Sequence, residues 1–273
     1  MPELPEVETV RVRLEPALVG RTFESVEILD SRLTRPLDPA EVAAELEGER
    51  VAAVERRGKY LIVRFESGLV LLVHLRMTGG FQHPRNGDGD ERHLRAVVKL
   101  DDGSDVSYRD VRRFGTWLVL RDDELDPYLA TRLGEEPLDA AFSAAALRER
   151  LEGRRAPIKA ALLDQRTLAG IGNIYADEAL WRAKIDPRRP AGELGADELK
   201  QLHRGIRDAL RAGIERQGAT LRDYRTPDGA SGRMQHEFKV YGRGGEPCLR
   251  CGTPIAKTRL GGRGTWFCPH CQV

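Results

Sequence analysis

Apolar residues near the start of the chain recur at helical spacing. Leu4, Val7, Val10 and Leu14 are separated by charged residues, and Pro16 closes the pattern. This predicts an amphipathic helix over 5–15. From about residue 22 to 120 the period changes. TFESVEIL, RVAAVERRGKYLIVRF, GLVLLVHLRM, RAVVKL, SDVSY and FGTWLVL are short β-rich runs split by Gly, Asp and Ser. They predict an antiparallel sandwich or barrel. DDELDPYLATRLGEEPLD has Asp and Pro punctuation and no sheet signal, so it reads as a connector. After about residue 139 helical periodicity returns in FSAAALRERLEG, PIKAALLDQRTLA, NIYADEALWRAKI and ADELKQLHRGIRDALRAGIERQ. AGIGN separates the second and third of these, and DPRRPAGELG the third and fourth. GATLRDYRTPDGASGRMQ is a polar, glycine-rich loop, long enough for a lid or binding loop. The predicted division is a β domain over 1–122, a linker over 123–138, a helical domain over 139–237 that carries a loop at 217–235, and a small module over 238–273.

Composition changes this picture little, and charge distribution changes it more. The 273 residues are 40% hydrophobic and 32% charged, enough to bury a core. Lys and Arg number 44 against 43 Asp and Glu, so the net charge of +1 names no partner. Locally, Asp38, Glu41, Glu45, Glu47 and Glu49 make an acidic front. From Arg233 onward cations dominate, with only Glu237 and Glu246 opposing them. That asymmetry points to a polyanion at the C-terminal end. No apolar run approaches the eighteen residues of a membrane span, and no signal-peptide pattern opens the chain. All four cysteines fall in the last 26 residues, which argues for a metal site in a reducing cytoplasm over a disulfide framework.

Cys248-x2-Cys251 and Cys268-x2-Cys271, sixteen residues apart, have the spacing of a tetrahedral structural zinc site. Four thiolates leave no open position for catalysis. Between the pairs, Gly261, Gly262 and Gly264 bracket Arg263, which serves equally well as a groove or phosphate contact or as a solvated hairpin tip. In the AGIGN turn, Asn173 is a good N-cap for the helix that follows. The helix start favours a phosphate, although taken alone the motif is better explained as a plain capped turn between packed helices. Arg56-Arg57-Gly58-Lys59-Tyr60 and Asp110-Val-Arg112-Arg113-Phe114-Gly115 are basic clusters within strand patterns. Met77 and Phe114 both sit where a strand pattern gives way to loop.

Together these segments resemble the bacterial formamidopyrimidine-DNA glycosylase family over essentially the whole chain. PELPEVE, RRGKY, HLRMTGG, RRFG, AGIGNIYADEAL, VYGRGGEPC and GGRGTWFCPHCQ stand in the family's order. The opening PELPEVE resembles the branch acting on oxidised purines, not the related endonuclease VIII branch. The resemblance implies an α+β multidomain fold. An N-terminal helix and antiparallel β-sandwich precede a helix-two-turns-helix domain with a C-terminal zinc ribbon. It implies a monomer that acts in the cytoplasm on damaged double-stranded DNA, with one structural Zn2+ on Cys248, Cys251, Cys268 and Cys271. Pro2, terminal once Met1 is removed, would be the nucleophile. Glu3 would be the acid/base partner, and Glu6 would orient Pro2 or Glu3. Lys59 would contact the lesion-side phosphate. Lys159, Asn173 and Arg263 would hold backbone phosphates, and His93 and Arg112 would also contact DNA. Met77, Arg112 and Phe114 would fill the void left by the extruded base, and the loop at 217–235 would cap the lesion. Many relatives carry an aromatic just before the Gln of that loop, where this chain has Arg233-Met234-Gln235.

Overall fold

The computed structural model describes residues 1–84 and 91–273. These form two compact units. The first comprises Met1–Ala130 and Arg216–Arg233, and the second Thr131–Glu215 and Met234–Val273.

The first unit opens with α1 (Leu4–Leu18) and β1 (Phe23–Ile28), followed by α2 (Pro39–Leu46). Seven strands come next: β2 (Val51–Arg57), β3 (Tyr60–Phe65), β4 (Leu69–His74), β5 (Gly79–Gln82), β6 (Leu94–Leu100), β7 (Asp105–Asp110) and β8 (Thr116–Arg121). A helix, α3 (Asp122–Ala130), ends this part of the chain. The strands make two antiparallel sheets, ordered β1-β6-β7-β5 and β2-β3-β4-β8. Phe81 and Tyr108 of the first sheet meet Trp117 of the second at ring-centroid distances of 6.2 and 5.6 Å. The sheets therefore face each other across one core, as in a sandwich. Val7, Val10, Leu14 and Leu18 of α1 join that cluster. Every residue of β4 is buried, which explains why LVLLVH reads as a continuous apolar run instead of alternating.

Three local features depart from the sequence pattern. Pro16 does not end α1, which runs on to Leu18. The proline leaves unpaired only the carbonyl of Val12, a residue 47% exposed, while Leu18 is drawn into the core. The acidic front contains α2, started by Asp38 as N-cap (its carboxylate accepts from Ala40 N–H at 2.8 Å) and Pro39 at the first helical position. The connector begins as α3, with Asp122, Asp123 and Glu124 in its first turn and Leu125 and Leu129 buried.

The second unit holds the predicted helices as α4 (Ala144–Leu151), α5 (Ile158–Leu163), α6 (Asn173–Ala183) and α7 (Ala196–Glu215). Leu199, Leu202, Ile206, Ala209 and Leu210 form the buried stripe of α7, which packs chiefly on α6. A two-stranded hairpin, β9 (Ala256–Leu260) and β10 (Arg263–Phe267), closes the chain, and β10 also packs on α6. Among the described residues no helix is long and apolar enough to cross a membrane.

Candidate functional site

The first unit carries the N-terminal candidates. Met1 is exposed, whereas Pro2, Glu3 and Glu6 are buried at the start of α1. Glu3 is the N-cap, and its N–H donates to Glu6 Oε2 at 2.9 Å, the backward-reaching half of a capping box. Glu6 Oε1 accepts the Ala219 N–H at 2.7 Å. Gly218 lies so close to Glu6 that a Cβ there would sit 2.7 Å from Glu6 Cγ, and its φ of +77° lies in the left-handed region that favours glycine. The Tyr224 hydroxyl donates to Gln217 O at 3.2 Å and its ring packs on the core of the unit. Burial, and then the Glu6 carboxylate, raise the Tyr224 phenol well above its ordinary pKa. Glu6 thus ties two chain segments together: it holds the Glu3 backbone and also the loop over 216–233. The sequence pattern puts that loop with the helices, but these bonds place it within the first unit.

Lys59 stands in the two-residue turn between β2 and β3 and is 7% exposed. Arg56 beside it bonds Glu8 Oε2 at 2.9 Å and Gly58 O at 3.1 Å, fixing the turn against α1. His74 is close by, since its register partner is Tyr60, whose ring meets the imidazole edge-on at 4.8 Å. Burial, then the charges of Arg76 and Lys59, lower the His74 pKa to about 3, so the ring is neutral at pH 7. Its Nδ1 accepts the Arg76 N–H at 2.9 Å and shapes the turn that carries half-buried Met77. Arg112 and Phe114 are exposed on the β7–β8 connection, with the Arg112 guanidinium 4.8 Å from the Phe114 ring centroid. Arg113, between them, forms a forked pair with buried Asp30 at 2.5 and 2.8 Å. That pair holds the Asp30 carboxyl down at about 2. His93 is half-buried, and its Nδ1 has no hydrogen-bond partner among the described residues. It borders a cavity of about 280 Å³ with Gln82, Arg109, Tyr224 and Arg225.

In the second unit, Lys159 differs from expectation. It is wholly buried, ion-paired with Asp177 Oδ1 at 2.7 Å, and donates to Gly264 O at 2.8 Å and Thr265 Oγ1 at 2.9 Å. An ammonium has three protons to give. With three partners engaged and no exposed surface, Lys159 holds protein and presents nothing to a phosphate. Burial pushes the Asp177 carboxyl up to about 7 against the pull of Lys159, and this carboxylate also accepts the Trp266 N–H at 3.1 Å. Asn173 is the first residue of α6, and the N-cap is Gly172. Its Nδ2 donates to the same Gly264 carbonyl at 3.0 Å, while its Oδ1 is buried with no hydrogen-bond partner among the described residues. Lys159 and Asn173 therefore meet on one carbonyl, adjacent to exposed Arg263.

The four cysteine sulfurs all lie within 4.8 Å of one another, and Cys251 and Cys268 Sγ are 3.6 Å apart. Zinc–thiolate bonds of about 2.3 Å in a tetrahedron need sulfurs about 3.8 Å apart, so the donors fit one zinc ion. The Arg250 N–H points at Cys248 Sγ and the Cys271 N–H at Cys268 Sγ, each at 3.4 Å, as suits thiolates. Val240, Cys248, Ile255 and Cys268 form a core of only a few side chains, with Trp181, Trp266 and Cys271 against it. So small a core makes the metal the main cross-link of the module.

The formamidopyrimidine-DNA glycosylase N-terminal domain matches residues 1–117, the H2TH domain of the same glycosylase matches 133–225, and the zinc finger found in FPG and IleRS matches 245–273. A formamidopyrimidine-DNA glycosylase from Exiguobacterium is 46% identical, with 100% of this chain and 99% of the relative covered. One from Geobacillus kaustophilus is also 46% identical, with 100% of both chains covered. The chain belongs to the formamidopyrimidine-DNA glycosylase family. A crystal structure of a Lactococcus lactis FPG mutant with Fapy-dG-containing DNA superposes with a TM-score of 0.93 at 39% identity, covering 99% of both chains. The MutM (FPG) protein of Thermus thermophilus gives 0.88 at 43%, covering 99% of this chain and 98% of that one.

In this family member, several organising residues escape local sequence reading. Glu178, fully buried, accepts three successive backbone N–H groups, from Lys239, Val240 and Tyr241, at 2.8–3.1 Å on Oε1 and pairs with Arg182 on Oε2. With its neighbour Asp177 it fastens both ends of the cysteine module to α6. The only available signal is an Asp-Glu pair at apolar positions of a helix, where burial demands partners. His74 is signalled by its place at the end of an otherwise apolar strand.

Proposed function

We propose that the chain is a bifunctional DNA glycosylase and abasic-site lyase of base excision repair, which removes oxidised purines such as 8-oxoguanine and formamidopyrimidines from duplex DNA. The observation that carries this reading is the Pro2-Glu3 start held at a capped helix N-terminus, with Glu3 N–H on buried Glu6, in a member of this family. Family membership and the damaged DNA in the Lactococcus lactis complexes support the substrate class.

The chemistry follows from a free secondary amine. An α-amino group titrates near 7.7–8.0, well below lysine at about 10.4, so a useful fraction is neutral at physiological pH. Pro2 nitrogen attacks C1′ of the damaged nucleotide. The C1′–N bond to the base breaks and its electron pair leaves with the base. Opening of the sugar then gives an iminium joining Pro2 to C1′. Glu3, in its protonated form, gives a proton to the ring oxygen as that bond opens. The iminium acidifies the C2′ proton, so β-elimination and then δ-elimination expel the two phosphates. Lys59 and Arg263 contact backbone phosphates. Met77, Arg112 and Phe114 occupy the space of the extruded base, and the loop over 217–235 covers it.

The test is borohydride trapping with Met1 removed and the Pro2 terminus verified. A covalent protein–DNA adduct on 8-oxoguanine DNA is expected, and none with Met1 retained. No adduct from the verified Pro2 form would refute the mechanism. Faster excision of thymine glycol than of 8-oxoguanine opposite C would refute the oxidised-purine assignment while leaving the mechanism standing.

A further inference from the structure

Two connections link the sheets of the first unit at one end: residues 75–78 between β4 and β5, and residues 111–115 between β7 and β8. β4 pairs with β8, His74 opposite Thr116, and β5 pairs with β7, Gly79 opposite Asp110. The two connections therefore run side by side, and they carry Met77 on one and Arg112 and Phe114 on the other. Asp110, 1% exposed, lies where they meet. Its Oδ1 accepts the Thr78 hydroxyl at 2.5 Å and the Arg112 N–H at 3.1 Å, and its Oδ2 accepts the Gly115 N–H at 2.7 Å. The Arg112 N–H is shared with Thr78 Oγ1 at 2.9 Å. One carboxylate so joins the neighbour of Met77 to both ends of the Arg112–Phe114 segment.

The floor beneath is rigid. A Cβ at Gly79 would lie 2.1 Å from the Tyr108 hydroxyl oxygen, and one at Gly115 would lie 1.9 Å from it. Both connections thus rest on one buried tyrosine, and neither can sink further into the core. The bonds to Arg112 and Gly115 N–H alone would be a local turn within one loop. The bond to Thr78 is different, because it crosses between loops 32 residues apart in sequence and serves neither loop's own turn.

We infer that Asp110, acting through Thr78, is a positioning residue that holds Met77, Arg112 and Phe114 in the mutual geometry needed to occupy the space of an extruded base. The inference rests on the void-filling reading proposed above. A carboxylate suits the place because all its incoming groups are donors. An amide would turn its NH2 toward one of them.

The experiment uses full-length, zinc-loaded protein with Pro2 exposed. It compares single-turnover excision of 8-oxoguanine opposite C with cleavage at a preformed abasic site, where no base has to leave the stack. Asp110→Asn and Thr78→Val should slow excision on the order of 10- to 100-fold, the scale of an ångström of misplacement, and slow abasic cleavage far less. Thr78→Ser, which keeps the hydroxyl, should restore excision. A 2-aminopurine beside the lesion should show the lost insertion as a smaller fluorescence change. Wild-type excision by Thr78→Val would overturn the inference. So would equal slowing of both reactions, which is what a general folding defect gives. Met77→Ala is the control for the underlying reading. If it leaves excision unchanged, void filling itself is wrong. If it slows excision and Thr78→Val does not, only the role of Asp110 falls.

Discussion

Replacing Lys159 by methionine keeps the length of the side chain but removes an ion pair to Asp177 and bonds to Gly264 and Thr265. Asp177 is then left 1% exposed with no cation beside it. Breaking a buried pair from one side costs about 3–5 kcal/mol. The second unit has about 125 residues, for which the unfolding entropy near the midpoint is about 0.26 kcal/mol/K. The expected fall in Tm is therefore roughly 10–20 °C. The sign of the pH dependence is also set. A carboxyl whose folded pKa is raised contributes stability that is fully present below its unfolded pKa and is lost as pH rises through the folded pKa. The deficit of Lys159→Met relative to wild type should thus shrink as pH falls from 7 toward 4. The assay is thermal unfolding of the zinc-loaded protein at several pH values, followed by the fluorescence of Trp181 and Trp266, with salt-dependent DNA binding measured in parallel. Replacing both partners, Lys159→Met with Asp177→Leu, should recover most of the stability. A nearly unchanged Tm, with weaker binding on every DNA sequence and a salt slope lower by about one, would refute the reasoning. That result would make Lys159 a phosphate ligand.

Two further outcomes are expected. Asp30→Asn should free Arg113 and loosen the segment presenting Arg112 and Phe114. Because Arg113 is 40% exposed, the loss of stability should be only about 1 kcal/mol in denaturant unfolding at pH 7. The Asp30 pKa is lowered, so wild type should lose this increment as pH falls from about 4 through 2, and the variant should show no such step. Zinc chelation should unfold the cysteine module, change Trp266 fluorescence and weaken DNA binding, and undiminished binding after verified metal loss would contradict this.

Much of the architecture is legible locally. The strand runs from 22 to 120, the four helices after 139 and the cysteine spacing all appear at their expected places, because each rests on neighbours within a few residues. What escapes is what depends on distant partners. Lys159 reads as an available cation until Gly264 and Thr265, more than a hundred residues away, take its protons. Glu6 reads as a helper of Pro2, and nothing in its surroundings announces a bond to Ala219, 213 residues on. The loop over 216–233 follows a helix in sequence, yet this bond and the packing of Tyr224 decide where it belongs. Asn173 has the chemistry of a cap, but the extended backbone of Gly172 takes that position and leaves its amide for Gly264. Short helices are the other gap: α2 and α3 are brief and acidic, and tertiary burial of two leucines or valines decides each.

The meeting of Lys159 and Asn173 on the Gly264 carbonyl separates two jobs that a metal ribbon is easily assumed to combine. The thiolates close the hairpin upon itself, but its bearing is taken from α5 and α6 through the Gly264 carbonyl, the Thr265 hydroxyl and the Trp266 N–H. The ion is a clasp and the carbonyl a hinge pin. A hairpin re-engineered to fold on apolar packing in place of cysteines would still aim Arg263 correctly, provided those two donors remained. A perfectly metallated protein lacking them would carry the same arginine on a tip steered only by Asp177 and the packing of β10 on α6.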